Sequence, residues 1–184
     1  SAWTAHTVTT TANGAMSVFA ADIDGDGDID LACAQGGDDT IAWYENTDGQ
    51  GTFGAQKVIT TSADDASSVF AADIDGDGDM DLASASSTDD KIAWYENTNG
   101  DGSAWVTTTV TTSADDPQRV FAADIDGDGD MDLASASALD DTIAWYENTA
   151  GDGSDWTAHI VTTSADRAYS VFAADIDGDG DMDL

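Results

Sequence analysis

Positive charge is nearly missing from this chain: four Lys and Arg stand against 38 Asp and Glu, a formal charge of −34. A surface of that sign repels phosphate backbones and anionic headgroups, so nucleic acid is not an expected partner. The single cysteine, Cys33, leaves no disulfide framework; Ser84 and Ser135 take its place in later repeats, so it reads as a small buried residue. No apolar run approaches the roughly 18 residues of a membrane span, and membrane insertion is not expected. No basic segment followed by an apolar stretch opens the chain, so any export signal is expected to lie elsewhere. Histidine is equally scarce. His6 and His159 fall at neighbouring positions of two outer strands, replaced elsewhere by Gln56 and by Thr108 or Thr109. No nucleophile has a partnered base, so the chain is not expected to be an enzyme.

What is present is patterned. With 41% hydrophobic residues the chain can bury a core, and its acidity is not that of a disordered tail, because twenty of the 38 acidic residues lie in four ten-residue stretches. Asp22-Ile-Asp-Gly-Asp-Gly-Asp-Ile-Asp-Leu31 recurs from Asp73, Asp124 and Asp175, a step of 51 residues each time. Ile41-Ala-Trp-Tyr-Glu-Asn-Thr47 recurs from Ile92 and Ile143 with the same step. The register slips by one near Phe53, which stands where the other copies have Trp3, Trp105 and Trp156.

Each unit reads as four short β-branched or aromatic runs bounded by Gly, Asp, Asn or Ser. In the first unit these are Ser17–Ala21, a run beginning at Leu31–Ala34, Thr40–Glu45 and Lys57–Thr61. Four strands in about 50 residues predict one four-stranded antiparallel blade of a β-propeller, so the fold class is all-β with about 3.5 blades. Residues 1–184 are expected to form part of one array. Its units fall at about 17–67, 68–118 and 119–169, with a partial unit at 170–184 and the last strand of a preceding blade, Trp3 to Thr11, within 1–16. Such a count suits a segment of a longer array better than a closed pair of chains. The Ala-Ala pair ending the first strand suits an innermost strand, where blades converge and room is short. Phe19, Phe70, Phe121 and Phe172, with Trp43, Trp94 and Trp145, are then packing residues between blades rather than a ligand-stacking platform.

The repeated loop has the chemistry of a hard-cation site. In Asp22-x-Asp24-x-Asp26-Gly27-Asp28-x-Asp30 the carboxylates at positions 1, 3 and 5 converge, the glycine at 6 permits a sharp turn, position 7 offers its carbonyl and position 9 closes the shell. Beginning at Asp24 would put Ile29 at the tight turn, where a β-branched residue tolerates positive φ badly. The same register assigns Asp73, Asp75, Asp77, Asp79 and Asp81; Asp124, Asp126, Asp128, Asp130 and Asp132; and Asp175, Asp177, Asp179, Asp181 and Asp183. An EF-hand would need Glu at position 12, which is Cys33, Ser84 or Ser135, and flanking helices. Zinc would need Cys or His in the loops, and magnesium keeps its waters, so the expected ion is Ca2+, about one per loop and four in all. As plain solvated turns, five Asp in nine residues would repel one another with nothing to offset it.

This loop between strands, with Leu82-Ala-Ser-Ala85, Trp43-Tyr-Glu-Asn46 and the Phe53-Gly54 pair, resembles the FG-GAP/VCBS-type repeats of integrin α-subunit propellers and secreted microbial proteins. A Gly-Ala-Pro element is absent, which places the chain nearer the VCBS version. The resemblance implies a propeller with calcium in the hairpin between the first two strands of each blade, an extracellular or cell-surface setting, and adhesion or recognition. The expected role is an adhesion or structural module of a larger secreted protein, with a protein or glycan partner. A filament subunit without its own ligand and a non-catalytic propeller attached to a secreted enzyme are the alternatives. Propeller geometry puts the loops after the first and third strands on one face. The residues that vary between repeats, Met16, Ser67, Gln118, Arg119, Arg167, Tyr169, Gln35, Ser86 and Leu139, are expected on the other.

Overall fold

The computed structural model describes residues 4–184. The chain is all-β: three four-stranded antiparallel sheets follow one another along it, and a single 3-10 turn at Gly36–Asp38 is the only helical element among the described residues. The first sheet is the meander β1 (Ala15–Ala21), β2 (Asp30–Gln35), β3 (Thr40–Tyr44) and β4 (Lys57–Thr60). The second is β5 (Ala66–Ala72), β6 (Asp81–Ser86), β7 (Lys91–Asn97) and β8 (Trp105–Thr111). The third is β9 (Pro117–Ala123), β10 (Asp132–Ser137), β11 (Thr142–Asn148) and β12 (Trp156–Thr162).

The sheets pack face to face, and period-2 alternation decides which side chain meets which neighbour. Ala32, Ala34, Ile41 and Trp43 of the first sheet form one core with Val69, Ala71, Leu82 and Tyr95 of the second. Ala83, Ala85, Ile92 and Trp94 on the second sheet's other face repeat that core with Val120, Ala122, Leu133 and Tyr146 of the third. The second strands of the second and third sheets are therefore covered on both faces, which is why they are Leu-Ala-Ser-Ala rather than an alternation of apolar and polar residues. Cys33 is buried at the position where Ser84 and Ser135 hydrogen-bond the hydroxyls of Tyr95 and Tyr146, at 2.9 and 3.1 Å. Burial pushes the Tyr95 phenol up to about 12 and raises the Cys33 thiol.

The first strands of successive sheets meet through the phenylalanines. Phe19, Phe70, Phe121 and Phe172 form a continuous ladder with centroid separations of 4.3, 4.8 and 4.6 Å. Trp43 and Trp94 are buried between sheets, whereas Trp145 is partly buried and packs against the cluster that contains Ala168, Val171 and Ala173, beyond the third sheet. Phe19, Phe70, Phe121, Trp43 and Trp94 thus pack between the three sheets, while Trp145 meets residues beyond the third and Phe172, itself beyond it, meets Phe121.

Two expected strands do not form. Residues 4–11 pair with no strand, and Trp3, the expected start of that run, lies outside the described residues. Residues 170–174 make only an isolated bridge, Ala174 to Asp183. Neither run has a neighbouring strand to pair with among the described residues, and a ladder requires one. Turn contacts divide the loops between two ends. Asp28, after β1, lies against Gly49, after β3. At the other end, the Asp65 amide donates to Asp39 Oδ1 at 3.0 Å, joining the turn before β5 to the turn before β3.

Candidate metal centres

Each Asp/Gly loop is a hairpin that folds on its own carboxylates. The Gly27 amide donates to Asp22 Oδ2 (3.0 Å), the Asp26 amide to Asp24 Oδ1 (3.3 Å) and the Asp28 amide to Asp26 Oδ1 (2.9 Å). The same Asx turns recur from Asp73, Asp124 and Asp175. Gly27, Gly78, Gly129 and Gly180 turn at φ of 94 to 101°, conformations a side chain resists. The isoleucine at the eighth position is not among the residues with positive φ.

Of the five aspartates in each loop, three are brought together. Asp22, Asp24 and Asp30 offer carboxylate oxygens that all lie within 4.8 Å of one another, and so do Asp73, Asp75 and Asp81; Asp124, Asp126 and Asp132; and Asp175, Asp177 and Asp183. These are positions 1, 3 and 9. The position-5 residues Asp26, Asp77, Asp128 and Asp179 lie outside those triads, each accepting the amide two residues on. The position-7 side chains Asp28, Asp79 and Asp130 turn away onto Gly49, Gly100 and Gly151, where any Cβ would collide with them.

Position 9 is the keystone of the site. Asp30, Asp81 and Asp132 are 0 to 1% exposed, and both oxygens of each accept a backbone amide. For Asp81 the donors are Ile74, within the loop, and Asn97, at the end of the third strand, at 3.0 and 2.8 Å. Burial raises the Asp81 carboxyl to about 7 and raises Asp30 and Asp132 as well, against the opposing pull of those amide bonds. Burial, with neighbouring carboxylates adding to it, also raises Asp24 and Asp75.

Asn46, Asn97 and Asn148 belong to the site although the sequence reading assigns them no part in it; their 51-residue recurrence is the one signal that points to them. Asn97 Nδ2 donates to Met80 O of its own loop and to Ile23 O of the preceding one; Asn148 does the same to Met131 and Ile74. The first two loops are thereby tied to the next sheet.

The triads fit a divalent cation. Asp22 Oδ1 and Asp73 Oδ1 are buried with no hydrogen-bond partner, while no Lys, Arg or His among the described residues forms an ion pair with any loop aspartate. An oxygen-only set of three converging carboxylates is hard-cation chemistry. Outside the loops, His159 is not isolated: its ring stacks on Trp145 at 4.4 Å and its Nε2 lies 2.8 Å from Glu147. Strand pairing makes Lys57 and Thr108 its counterparts, opposite Trp43 and Trp94, so Gln56 is one residue out of register. Gln35 and Ser86 are fully buried at the ends of β2 and β6, which removes them from the variable outer surface. Met16, Leu139 and Tyr169 are exposed there, at 60 to 69%.

A family model described as the FG-GAP-like repeat matches residues 22–84, 73–135 and 131–184. The chain belongs to the FG-GAP-like repeat family. The first two matches each run from one loop triad through the next, so an FG-GAP-like unit here comprises a loop, the strands that carry its position-9 aspartate and its asparagine, and the following loop. No curated protein matches the sequence significantly. No helix among the described residues is long and apolar enough to cross a membrane.

Proposed function

We infer that this FG-GAP-like chain is a calcium-stabilised stretch of β-propeller, acting as a non-catalytic recognition or adhesion module of a larger extracellular or cell-surface protein. The observation that carries this reading is the triad repeated in all four loops, with a buried, unpartnered first-position oxygen in the first two. The three sheets serve as blades, with β1, β5 and β9 innermost along the phenylalanine ladder, in units of 17–67, 68–118 and 119–169 and a partial unit from 170.

Bound calcium supplies positive charge that offsets the mutual repulsion of the loop carboxylates. The chain's own residues do the rest. Positions 1, 3 and 9 present the carboxylates, position 5 braces its own turn, position 7 offers its backbone carbonyl, and the amides of Ile74 and Asn97 hold Asp81 in place. A loop so organised fixes the β5–β6 hairpin, and Asn148 carries that order into the next sheet. Sites of this kind in extracellular modules bind at about 0.1 to 1 mM, which suits an extracellular location.

Calorimetric titration of the chelated protein with CaCl2 tests the reading. Saturable binding at sub-millimolar Kd with a stoichiometry of about three to four, one ion per loop, is expected; heats indistinguishable from dilution, with an unchanged melting curve, would reject it. For recognition, the exposed residues Met16, Leu139 and Tyr169 lie at the end opposite the loops. A glycan array and a protein pull-down in calcium should give signals that depend on them, and signals dependent only on loop-end residues would move the binding surface.

A further inference from the structure

The three complete units treat one aspartate in three ways. Asp38, Asp89 and Asp140 are 51 residues apart and sit in the turns before β3, β7 and β11. In the first unit Asp38 Oδ1 accepts the Asn13 side-chain amide at 3.0 Å. In the second, Lys91 folds inward until its ammonium contacts both Asp89 Oδ2 and the Ser62 carbonyl, each at 2.5 Å, with the lysine side chain only 16% exposed. In the third, Thr142 stands where Lys91 would be, and its hydroxyl is used on the Asp140 backbone carbonyl at 3.0 Å. The Asp140 carboxylate accepts no hydrogen bond from the described residues, and its Oδ1 is buried. Asp89 Oδ1 is also buried and unpartnered, but its second oxygen has the lysine.

Beside Asp140 lies a cavity of about 380 Å3 between the second and third sheets, lined among others by Ser113, the counterpart of Ser62, and by Thr142. Its walls have become more apolar than in the second unit. Ala158 and Ile160 line it where Thr107 and Thr109 stand one repeat earlier, and Ala144 is kept from Ala93. The space vacated by the lysine therefore keeps its anionic end and gains an aliphatic wall.

We propose that this cavity is a binding site for a primary ammonium group on a short aliphatic chain, supplied by a small amine or by a lysine side chain of a partner. Lys91 shows the pose within the same fold: the ammonium donates to the aspartate and to the serine carbonyl, with the side chain mostly buried. A carboxylate with a donor on neither oxygen and one of them out of contact with water is costly, and pairing the group with a cation offsets that cost. The chain's charge of −34 also raises the local concentration of cations around the mouth. This inference rests on side-chain packing in the third unit and holds whether or not the loops take calcium.

The test is an amide-resolved NMR titration of the whole chain with butylammonium chloride, in saturating calcium and at fixed ionic strength, with sodium chloride and butanol as controls. Saturable shifts confined to residues 113–114 and 139–142 are expected with butylammonium alone. Asp140→Asn should weaken binding by about tenfold or more, since a charge-assisted contact becomes a neutral one. Thr142→Lys recreates the pair that the second unit already tolerates; it should abolish the shifts and raise Tm, and it keeps the test decisive if Asp140→Asn does not fold. A Gly-Lys-Gly peptide with blocked ends separates the sources: binding shows that a partner's lysine can enter, and its failure beside binding of butylammonium assigns the site to free amines. Absence of saturable shifts with both probes, equal shifts with butanol, or shifts that persist in Thr142→Lys would overturn the proposal. A loop site that fails to bind calcium would leave these outcomes unchanged.

Discussion

Ser68–Leu82 and Ser170–Leu184 have the same residues from Val69 and Val171 onward through the loop, in two surroundings. In the first, Val69 and Ile74 are 1% exposed, residues 68–72 lie within β5, and the loop ends in a buried Asp81. In the second, Val171 stays buried at 7%, but Ile176, the counterpart of Ile74, is 74% and Phe172 64% exposed, and an isolated bridge replaces the strand. Yet the hairpin survives: the Ile176 amide still donates to Asp183 Oδ2 at 3.0 Å, the Gly180 amide still donates to Asp175, and the three carboxylates still converge within 4.8 Å. Loop geometry is therefore written locally, in Asx turns and glycines. Burial and strand pairing are written in the neighbours, namely Asn97 behind Asp81 and Asn148 behind Ile74.

The largest expected effect comes from removing the cation. At ten times its Kd each ion contributes about 1.4 kcal/mol, so the three loops that join paired strands should contribute about 4 kcal/mol. Excess EDTA should then lower Tm by about 10 °C in a calorimetric scan. Asp73→Asn with Asp75→Asn should reproduce a share of that loss in calcium, whereas Asp175→Asn with Asp177→Asn should leave Tm nearly unchanged. Equal losses from both pairs would erase the distinction between the two copies.

Next in size is the position-9 aspartate. Asp81→Ala leaves the amides of Ile74 and Asn97 without their buried acceptor and should cost about 3 kcal/mol in urea unfolding. Asp183→Ala strips only the Ile176 amide, at an exposed loop, and should cost less than about 1 kcal/mol.

The 51-residue step, the strand boundaries to within a residue or two, and the clustering of aspartate were all legible because each depends on local composition: glycine at the turn, alternation along the strand. Which aspartates converge was less legible. Side-chain spacing alone does not distinguish position 5, which stays in its own Asx turn, from position 9, which lies across the hairpin on the first residue of the next strand. Asn97 and Asn148 were hidden because their partners lie 74 residues earlier. His159 looked isolated because its companions, Trp145 and Glu147, sit on the adjoining strand. The fate of residues 4–11 and 170–174 depended on partner strands that no reading of those segments reveals.

Asparagine separates contacts within a unit from contacts between units. Asn46 Nδ2 reaches only Ile29 O, at 3.2 Å in its own loop, while Asn148 Nδ2 also reaches Ile74 O at 3.0 Å in the preceding unit. Asn148→Ala should therefore cost about 2 kcal/mol, leaving the buried Ile74 carbonyl unpaired, and Asn46→Ala about half as much. Similar losses for both variants, measured by chemical denaturation in calcium, would show that the inter-sheet bond adds nothing.

The smallest effect is a pH dependence whose sign reverses with calcium. In the chelated protein burial holds the Asp81 carboxyl at about 7, against an ordinary value of 3.8, with Asp30 and Asp132 displaced in the same direction. Between those limits the folded state binds more protons than the unfolded chain, so stability falls as pH rises. The contribution is complete below the unfolded value and is lost as pH climbs through about 7. In EDTA, Tm should accordingly rise by a few degrees as pH is lowered from about 8 to about 6. In saturating calcium the ion needs the deprotonated carboxylates, protons compete with it, and the same acidification should lower Tm. Repeating both scans with Asp81→Asn should flatten the rise in EDTA, whereas Asp183→Asn, in the matching but exposed loop, should leave it in place. A rise that survives Asp81→Asn unchanged would assign the proton uptake to some other group.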